Sequence, residues 1–562
     1  MMFGLHDAIW FAVAVSLLAS LAQAGDGNVV ALEAPRMVRL MCNQAHDRDS
    51  CVASLAAHPL AATSGPRDLA SIGIQTALGG VGSFYTYATS LRSGASGRGK
   101  ESALTACEFV LQDSQDYLKQ ALARLATLNP LKFKQQIEDT LTWMSSALTN
   151  HITCLDGFSE VGGGLRDSIL TRSMSVTTLI ANSVSLVGSI SSFGVASLDN
   201  VDSHNRRLLQ SELSDSLVYE LGNDDFPKWM RPADRKLMQA GGDRTRLTIV
   251  NAIVAKDGSG KYKSIQAAIG AAPKNSSKKW VIHVKAGVWS EYVEVPKSAK
   301  NMVIMGDGIG DTIVTGSRSV VGSNLTTFAT ATFYVIAPNF LGLDFTVRNT
   351  AGPWNHQAVA LKVQGDKTAF WRCSFEAYQD TMYAHSNRQF YKDCTISGKV
   401  DYIFGNAAAV FQTCTLLGRV PMPGQQNTFT AQGRTTNSQN TGFSFHKCIV
   451  DAAPELKSLK NQVVSSYFGR PWKEFSRTVF LTCSVGSVIS AEGWLPWDGT
   501  FALKTLVYGE YKNIGAGSDT SRRVKWSTQI QDVRVANKFT VNSFITGETW
   551  LPQTTIIYNP QL

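Results

Sequence analysis

Apolar residues in the first third of the chain recur at helical spacing. Within ALTACEFVLQDSQDYLKQALARL they are separated by three, four or seven residues, and polar residues fill the opposite face. The apolar positions are Leu104, Cys107, Leu111, Leu118, Leu122 and Leu125. Several such segments follow one another over residues 35–195, which predicts an all-α four-helix bundle there. By itself, this region is also compatible with a bundle that has no activity.

The pattern changes over residues 196–246, where charged residues, Gly and Pro replace sustained apolar periodicity. Such composition is typical of an exposed linker, and linkers are where proteases cut. One motif occurs twice in it: two basic residues, two apolar residues and then Gln. The copies begin with Arg206, Arg207, Leu208 and Leu209, and with Arg235, Lys236, Leu237 and Met238. Two copies in one linker predict maturation cleavage.

Residues 247–562 consist of short β-rich runs separated by Gly, Asn and Asp. An aromatic, two residues, Cys, one residue and an apolar or aromatic residue recur five times, at intervals of 20 to 35 residues. The copies are Phe370-Cys373-Phe375, Tyr391-Cys394-Ile396, Phe411-Cys414-Leu416, Phe445-Cys448-Val450 and Phe480-Cys483-Val485, with Phe340-Leu343-Phe345 as a sixth. This period suits one turn of a solenoid and predicts a right-handed parallel β-helix. A β-sandwich is the alternative, but it does not predict aligned cysteines.

The repeat places two aspartates at equivalent positions. Asp380 and Asp401 each lie seven residues after the Cys of their copy, and Tyr383 and Phe404 each lie ten residues after it. If the turns stack, the two carboxylates are close, and each charge raises the pKa of the other. One can then stay protonated as an acid while the other acts as a nucleophile or base. The alternatives are a structural ladder that caps turns and a Ca²⁺ site.

Three features bear on the cellular compartment. Residues 1–24 are apolar and end in Ala-Gln-Ala, which predicts a cleaved signal peptide, with an uncleaved anchor as the alternative. Asn275 and Asn324 each begin a glycosylation acceptor, which matters only in a secreted protein. The early cysteines can form two bridges in an oxidising compartment, and the five later ones then leave at least one free thiol. The early cysteines are Cys42, Cys51, Cys107 and Cys154.

The charge balance limits the kind of partner without choosing one. The formal net charge is +9 and the pI is near 9.0, in a composition of 44% hydrophobic and 17% charged residues. A basic surface suits a nucleic acid, an anionic membrane or an acidic polysaccharide.

Several segments resemble, in order, the signatures of plant pectin methylesterases (pectinesterases). They are GVWSEYVEV, NTAGPWNHQAVAL, YQDTMY, GKVDYIFGNAA, TAQGR, YFGRPW and EGWLPW. CNQAHDRDSC, ACEFVLQDSQDYL and SSALTNHITCLDGF resemble landmarks of the pectin methylesterase inhibitor domain. The whole chain is therefore similar to a secreted plant pro-pectinesterase of the cell wall. The resemblance implies that the RRLL and RKLM motifs are sites for a subtilisin-like protease.

The resemblance also implies roles for individual residues. It makes Asp401 the nucleophile, held by Arg470, and Asp380 the proton donor, while the amides of Gln357 and Gln379 stabilise the oxyanion. The implied substrate-binding residues are Thr327, Gln357, Arg470 and Trp472, and the aromatics implied to line the sugar-binding cleft are Tyr383, Phe404 and Trp494. A further implication is a disulfide between Cys394 and Cys414.

The implied reaction hydrolyses methyl esters of galacturonic acid in pectin, releases methanol and requires no metal or organic cofactor. The implied partners are pectin, a processing protease and pectinesterase inhibitor proteins; we expect no nucleic acid, and a monomeric mature form. The helical bundle is expected to be autoinhibitory and to be removed by proteolysis; assistance in folding and retention in the secretory route are the alternatives. A pectate lyase or polygalacturonase would need clustered carboxylates that the sequence lacks. A catalytically inactive pectin-binding or inhibitor protein is the remaining alternative.

One residue departs from the family pattern in a way that bears on the chemistry. Lys399 stands where the family usually has Thr, two residues before Asp401, so on a strand it shares the face of Asp401. One hypothesis is that its charge lowers the pKa of Asp401. The alternative is that its ammonium reaches solvent without effect.

Overall fold

The computed structural model describes residues 34–94, 96–194, 250–459 and 464–562. It contains a helical unit, residues 34–194, and a β-helical unit, residues 250–562. The predicted signal peptide and both predicted cleavage motifs, at 206–209 and 235–238, lie outside the described residues.

The helical unit is the predicted bundle. Its helices are α1 (Arg36–Met41), α2 (Arg48–Ala56), α3 (Pro66–Ser90), α4 (Arg98–Ala126), α5 (Phe133–Val161) and α6 (Gly163–Phe193). The periodic apolar residues of α4 are buried, except Leu122, which is half-buried. Disulfides join Cys42 to Cys51 and Cys107 to Cys154, so the four early cysteines form two bridges as expected. Helix α6 is apolar enough to span a membrane by composition, but 56% of its most apolar window is buried within the protein.

The β-helical unit consists of short strands that pair only in parallel. The strands are β1 (Ala252–Val254), β2 (Trp280–Val284), β3 (Gly287–Ser290), β4 (Val293–Val295), β5 (Met302–Met305), β6 (Thr312–Gly316), β7 (Phe333–Val335), β8 (Leu341–Leu343), β9 (Thr346–Asn349), β10 (Leu361–Val363), β11 (Thr368–Trp371), β12 (Ser374–Glu376), β13 (Met382–Ala384), β14 (Arg388–Lys392), β15 (Thr395–Gly398), β16 (Ile403–Gly405), β17 (Ala408–Gln412), β18 (Thr415–Gly418), β19 (Asn427–Gln432), β20 (Gly442–His446), β21 (Ile449–Ala452), β22 (Ser466–Gly469), β23 (Arg477–Leu481), β24 (Ser484–Val485), β25 (Val507–Tyr511) and β26 (Thr528–Gln529). Its short helices are α7 (Ile265–Gly270), α8 (Val320–Ser323), α9 (Pro454–Lys457), α10 (Val533–Asn537) and α11 (Val541–Ile545).

These strands form three parallel sheets, as a β-helix requires. Sheet 1 has the order β1-β2-β5-β8-β11-β14-β17-β20-β23-β25-β26, and sheet 3 has the order β24-β21-β18-β15-β12-β9-β6-β3. Sheet 2, which carries the site, has the order β22-β19-β16-β13-β10-β7-β4. Every third strand along most of the chain therefore returns to the same sheet, one turn further on.

The aromatic residues of the five-copy repeat stack in the interior. Phe370 pairs with Tyr391, Tyr391 with Phe411, Phe411 with Phe445 and Phe445 with Phe480 in the strand register. Their ring centroids are 4.5–5.5 Å apart, and the rings are nearly parallel. The predicted register of these five turns is confirmed.

The predicted sixth copy is wrong by two residues. Phe370 pairs with Gly342 rather than with Phe340, and Trp371 pairs with Leu343. A Cβ at Gly342 would lie 2.5 Å from the Phe370 ring, so only glycine leaves space for that ring. An offset of two residues keeps the same side chains inside, because side chains alternate along a strand. The apolar pattern alone therefore does not distinguish the two registers.

The disulfide implied between Cys394 and Cys414 is absent, because both residues are free thiols. Each Sγ points to backbone carbonyls: Cys394 to those of Phe370 and Lys392, and Cys414 to those of Tyr391 and Gln412. Cys448 and Cys483 do the same on the following turns. Stacking aligns the cysteines as predicted, and each thiol lies beside the thiols of the neighbouring turns without a covalent bond to them.

The helical unit covers the outer face of sheet 2, which we call the cleft. Phe109 of α4 lies 6.2 Å from Tyr334 of β7 and 6.3 Å from Phe328, measured between ring centroids. One buried apolar cluster contains bundle residues together with Tyr334, Tyr383, Phe404 and Ala431 of sheet 2. The two units thus share a core over the cleft.

Candidate active site

Asp380 and Asp401 occupy the same position on neighbouring turns, just before β13 and β16. The register pairs Met382 with Ile403 and Tyr383 with Phe404, which confirms the predicted equivalence of the two aspartates. Both have left-handed backbone, with φ of 60° and 51°, a conformation that Asp adopts more readily than most residues. Adjacent strands lie roughly 4.8 Å apart, so the two carboxylates are neighbours.

Asp401 is held as an ion pair. Arg470 Nε donates to Asp401 Oδ1 at 2.9 Å, and Nη2 donates to Oδ2 at 2.6 Å. The hydroxyl of Thr428 donates a third hydrogen bond to Oδ1 at 2.7 Å. A two-pronged guanidinium contact fixes a carboxylate in one orientation and stabilises its charge. These contacts hold the Asp401 carboxylate in a fixed position beside Asp380.

Asp380 has the opposite environment. Burial is the largest influence and raises the pKa of Asp380 well above its usual value, and the charges of Asp401 and Glu160 raise it further. Arg470 opposes this shift, but its guanidinium is bound to the other carboxylate. The pair therefore combines one carboxylate held by arginine with one carboxyl group that favours protonation.

The two glutamines predicted to stabilise an oxyanion are brought together. Gln357 and Gln379 form an isolated parallel bridge, immediately before the turn that carries Asp380. Among the described residues, Gln379 Oε1 is buried without a hydrogen-bond partner. Two amides on one side of a carboxylate can donate to an oxygen that becomes negative during attack.

Aromatic residues line the cleft beside the pair. Tyr383 and Phe404 stack with centroids 4.2 Å apart, and Trp472 meets Phe404 edge-on at 6.0 Å. Thr327 lies at the margin, at the start of a 3-10 turn (Thr327–Ala329). Flat rings of this kind provide stacking surfaces for an apolar or sugar face.

Trp494 does not line the cleft, contrary to the prediction. It is 1% exposed and packs inside the β-helix, 4.3 Å from Tyr508 and 5.3 Å from Phe468 between ring centroids. The half-exposed tryptophan of the same segment is Trp497, which lies under the Arg470 guanidinium at 4.4 Å. EGWLPW contains both tryptophans, and only packing against Tyr508 and Phe468 decides which one is inside.

The family can be identified from two matches. A family model described as Pectinesterase matches residues 251–548. A model described as plant invertase/pectin methylesterase inhibitor matches residues 36–186. The chain belongs to the pectinesterase family. The second match makes its helical unit an inhibitor-like domain in the same chain.

Named relatives agree with this assignment. Pectinesterase/pectinesterase inhibitor 3 of Arabidopsis thaliana is 38% identical over 97% of this chain and 94% of its own length. Pectinesterase 1 of Citrus sinensis is 43% identical over 80% of this chain and 75% of its own length. The solved pectin methylesterase from carrot is 49% identical with a TM-score of 0.55, covering 56% of this chain and 98% of that one. This chain is an enzyme of the pectinesterase class, a carboxylic ester hydrolase.

The ammonium of Lys399 in this pectinesterase neither pairs with Asp401 nor extends into solvent, and it contacts two loops instead. Its Nζ donates to Pro353 O at 3.0 Å and to Gln425 Oε1 at 2.8 Å, and among the described residues it forms no ion pair with Asp401. It is fully buried, so its ammonium does not reach solvent. Burial lowers the pKa of Lys399 to about 8. Lys399 therefore ties together two loops at the edge of the site, one of which leads to Gln357.

The helical unit contributes polar contacts to the pectinesterase site that the sequence did not indicate. Glu160 accepts from Thr327 N at 2.8 Å, Thr153 is 2.9 Å from His385 Nε2, and Thr149 accepts from Asn406 Nδ2 at 2.9 Å. Glu160 is close enough to raise the pKa of Asp380. No local pattern marks Glu160, because its position depends on how the two units dock.

No group of three or more His, Cys, Asp or Glu side chains in the described ranges is arranged to hold a metal ion. In the described ranges, the aspartate pair therefore has no third side chain of these types arranged with it to bind calcium. The two predicted glycosylation sites, Asn275 and Asn324, are exposed in the β-helical unit. Their modification stays a prediction.

Replacing Arg470 by lysine is expected to lower kcat for methanol release about a hundredfold. A lysine ammonium cannot reproduce the two parallel hydrogen bonds to Asp401, so the Asp401 carboxylate loses its fixed orientation. The matched control is Arg348→Lys, because Arg348 pairs with Glu376 on the outer face of sheet 3. An Arg470→Lys enzyme within threefold of wild type, at equal thermal stability, would contradict the role.

Proposed function

We propose that this pectinesterase hydrolyses the C6 methyl esters of galacturonic acid in cell-wall pectin through an acyl-enzyme on Asp401. The opposed environments of Asp401 and Asp380 support this proposal best, because they place a carboxylate held by arginine beside a carboxyl group whose pKa is raised. The family provides the substrate class. In the first step Asp401 attacks the ester carbonyl, and the carbonyl oxygen becomes an oxyanion that accepts from the amides of Gln357 and Gln379.

The intermediate then loses methoxide, which takes the proton of Asp380 and leaves as methanol. Asp380 is now anionic and accepts one proton from water, whose oxygen attacks the acyl carbon; the product leaves as galacturonic acid and ionises to the carboxylate by giving its remaining proton to solvent. Asp401 is regenerated as a carboxylate and Asp380 as an acid. Tyr383, Phe404, Trp472 and Thr327 are proposed to hold the sugar chain along the cleft, with Arg470 and Gln357.

The test is methanol release from methyl-esterified homogalacturonan by the full chain after cleavage in the linker and removal of the helical unit. Stoichiometric methanol and new carboxylates are expected. Binding of pectin without methanol release would instead favour the inactive pectin-binding protein. Uronate double bonds or reducing ends in the products would indicate a lyase or a polygalacturonase.

We further propose that the helical unit inhibits the enzyme within the same chain until proteolysis separates them. The support is steric: Tyr383 and Phe404 are each only 4% exposed beneath the bundle. Secretion to the cell wall and cleavage by a subtilisin-like protease at the two linker motifs belong to the same proposal. The two disulfides of the helical unit are compatible with an oxidising route.

The docking of the two units is expected to depend on pH through Glu160. Burial, opposed by the hydrogen bonds from Thr327, raises the pKa of Glu160 from its ordinary 4.5 to about 7 in the docked state. Docking of the two units therefore takes up a proton at Glu160. The stabilisation of the docked state that comes from this proton is fully present below pH 4.5 and is lost as pH rises to about 7. One proton weakens docking by at most about tenfold per pH unit, and the side chain of Glu160 is solvent-exposed, so screening reduces this effect.

Glu160→Gln should flatten that dependence. The measurement is dissociation of the two halves of the linker-cleaved chain between pH 5 and pH 8, with Glu101→Gln, an exposed residue of α4, as control. His385, whose pKa burial lowers to about 3, also titrates at the interface, but every variant retains it. An identical pH slope in wild type and Glu160→Gln would exclude Glu160 as the titrating group.

A further inference from the structure

Two lysines at the cleft have all their ion-pair partners in the helical unit. Lys297 Nζ lies 2.5 Å from Asp113 Oδ1 and 2.9 Å from Asp116 Oδ2. Lys473 Nζ lies 2.5 Å from Asp156 Oδ1. Among the described residues, neither lysine pairs with a carboxylate of the β-helical unit. Removal of the helical unit therefore leaves both ammonium groups without their anions.

The two lysines mark opposite ends of the cleft. Lys297 follows β4, the first strand of sheet 2, and Lys473 follows β22, the last. Six inter-strand steps separate these strands, a span of roughly 29 Å. Asp380 and Asp401 lie near the middle, on the turns before β13 and β16. A polymer that lies along the cleft with one ester at the aspartates extends past both lysines.

Lys473 lies at the edge of the aromatic floor of the cleft. Lys473 Nζ lies 4.9 Å from the ring of Trp472, which itself contacts Phe404 of the cleft floor. Lys297 Nζ lies 5.2 Å from the ring of Tyr117, a residue of the helical unit that departs with it. An ammonium at the edge of an aromatic floor can bind a carboxylate while a sugar face packs on the ring.

We propose that Lys297 and Lys473 are carboxylate-binding subsites for free galacturonate residues of the substrate chain, and that Asp113, Asp116 and Asp156 occupy them before processing. This proposal rests on the proposed pectinesterase mechanism. It assigns the enzyme a preference for esters flanked on both sides by already de-esterified galacturonate. The enzyme then binds de-esterified stretches of the polymer more tightly than the fully esterified polymer. It therefore hydrolyses esters that lie next to galacturonate residues it has already de-esterified.

The test uses the full chain after linker cleavage and removal of the helical unit. Lys297→Met, Lys473→Met and the double variant keep the apolar stems, and Lys300→Met, an exposed lysine on the same loop as Lys297, is the control. The double variant is expected to bind oligogalacturonate about tenfold more weakly, about 1.4 kcal/mol, with binding of the fully methyl-esterified oligomer unchanged. The difference should vanish in about 1 M salt, where screening acts within 3 Å.

Each outcome decides one point. Equal oligogalacturonate affinity in wild type and double variant, or an equal loss in Lys300→Met, overturns the subsites. A wild type that binds oligogalacturonate but releases no methanol overturns the proposed mechanism and leaves the subsites to be judged by binding. Melting temperatures monitor folding, and Lys297→Met tests one end alone because its side chain is already 39% exposed.

Discussion

Replacement of Asp401 by asparagine is expected to lower kcat for methanol release by about ten-thousandfold or more in the linker-cleaved enzyme. An amide is a poor nucleophile, and it cannot accept the two hydrogen bonds that Arg470 now donates to one carboxylate. The loss should appear in kcat, while binding of oligogalacturonate persists, since the cleft residues are untouched. Methanol release and equilibrium binding measured on the same preparation separate the two effects.

The matched control for this variant is Asp393→Asn. Asp393 has the same left-handed backbone, with φ of 53°, but its carboxylate accepts from Trp371 Nε1 at 3.0 Å on the outer surface. Activity within about twofold of wild type is expected. The asparagine of the Asp401→Asn variant can deamidate, which would restore aspartate and can be followed by mass. The Asp401→Ala variant cannot deamidate and therefore serves as a second test. An Asp401→Ala enzyme that keeps more than about one per cent of kcat would rule out the nucleophile assigned above.

An uncleavable chain is expected to release methanol at least about a hundredfold more slowly than the processed enzyme. Alanine at Arg206, Arg207, Arg235 and Lys236 removes both predicted cleavage motifs. The reason is occlusion, since the helical unit buries the rings of Tyr383 and Phe404 and places Glu160 at Thr327. The measurement compares this chain with the same chain carrying an introduced protease site, before and after cutting and separation.

A charge-reversal variant provides the internal control for that result. Asp156→Lys places an ammonium opposite Lys473, so it should weaken docking and restore part of the activity to the uncleaved chain. Asp68→Lys alters the first turn of α3, where Asp68 pairs with the adjacent Arg67 and, among the described residues, with no residue of the β-helical unit, and should leave inhibition intact. Full activity of the uncleavable chain without any such change would show that the helical unit does not inhibit in the same chain.

The repeat spacing predicted the aspartate pair because a parallel β-helix returns the chain to the same position on each turn. Positions at equal distance from the cysteines of the repeat therefore stack, and Tyr383 over Phe404 follows from the same count. Spacing alone could not supply Arg470, which lies 69 residues after Asp401. The family resemblance identified Arg470, and in the structure its guanidinium forms an ion pair with the Asp401 carboxylate.

Two predictions failed where side-chain packing, rather than register, decides the outcome. Trp494 and Trp497 are three residues apart, and the interior rings of Tyr508 and Phe468 select the first as core. Cys394 and Cys414 are aligned by stacking, but their rotamers direct each sulfur to a backbone carbonyl. Neither outcome can be predicted from the spacing of the residues.

The sequence by itself determined the two units, the stacking of Asp380 on Asp401 and the family. All of these depend on local periodicity or on ordered motifs within one unit. Only the tertiary structure decided that Glu160 lies close enough to raise the pKa of Asp380 and that Asp113, Asp116 and Asp156 pair with the lysines at both ends of the cleft. Those contacts join residues some two to three hundred positions apart across a surface between two folded units, and no periodicity within either unit encodes how such surfaces meet.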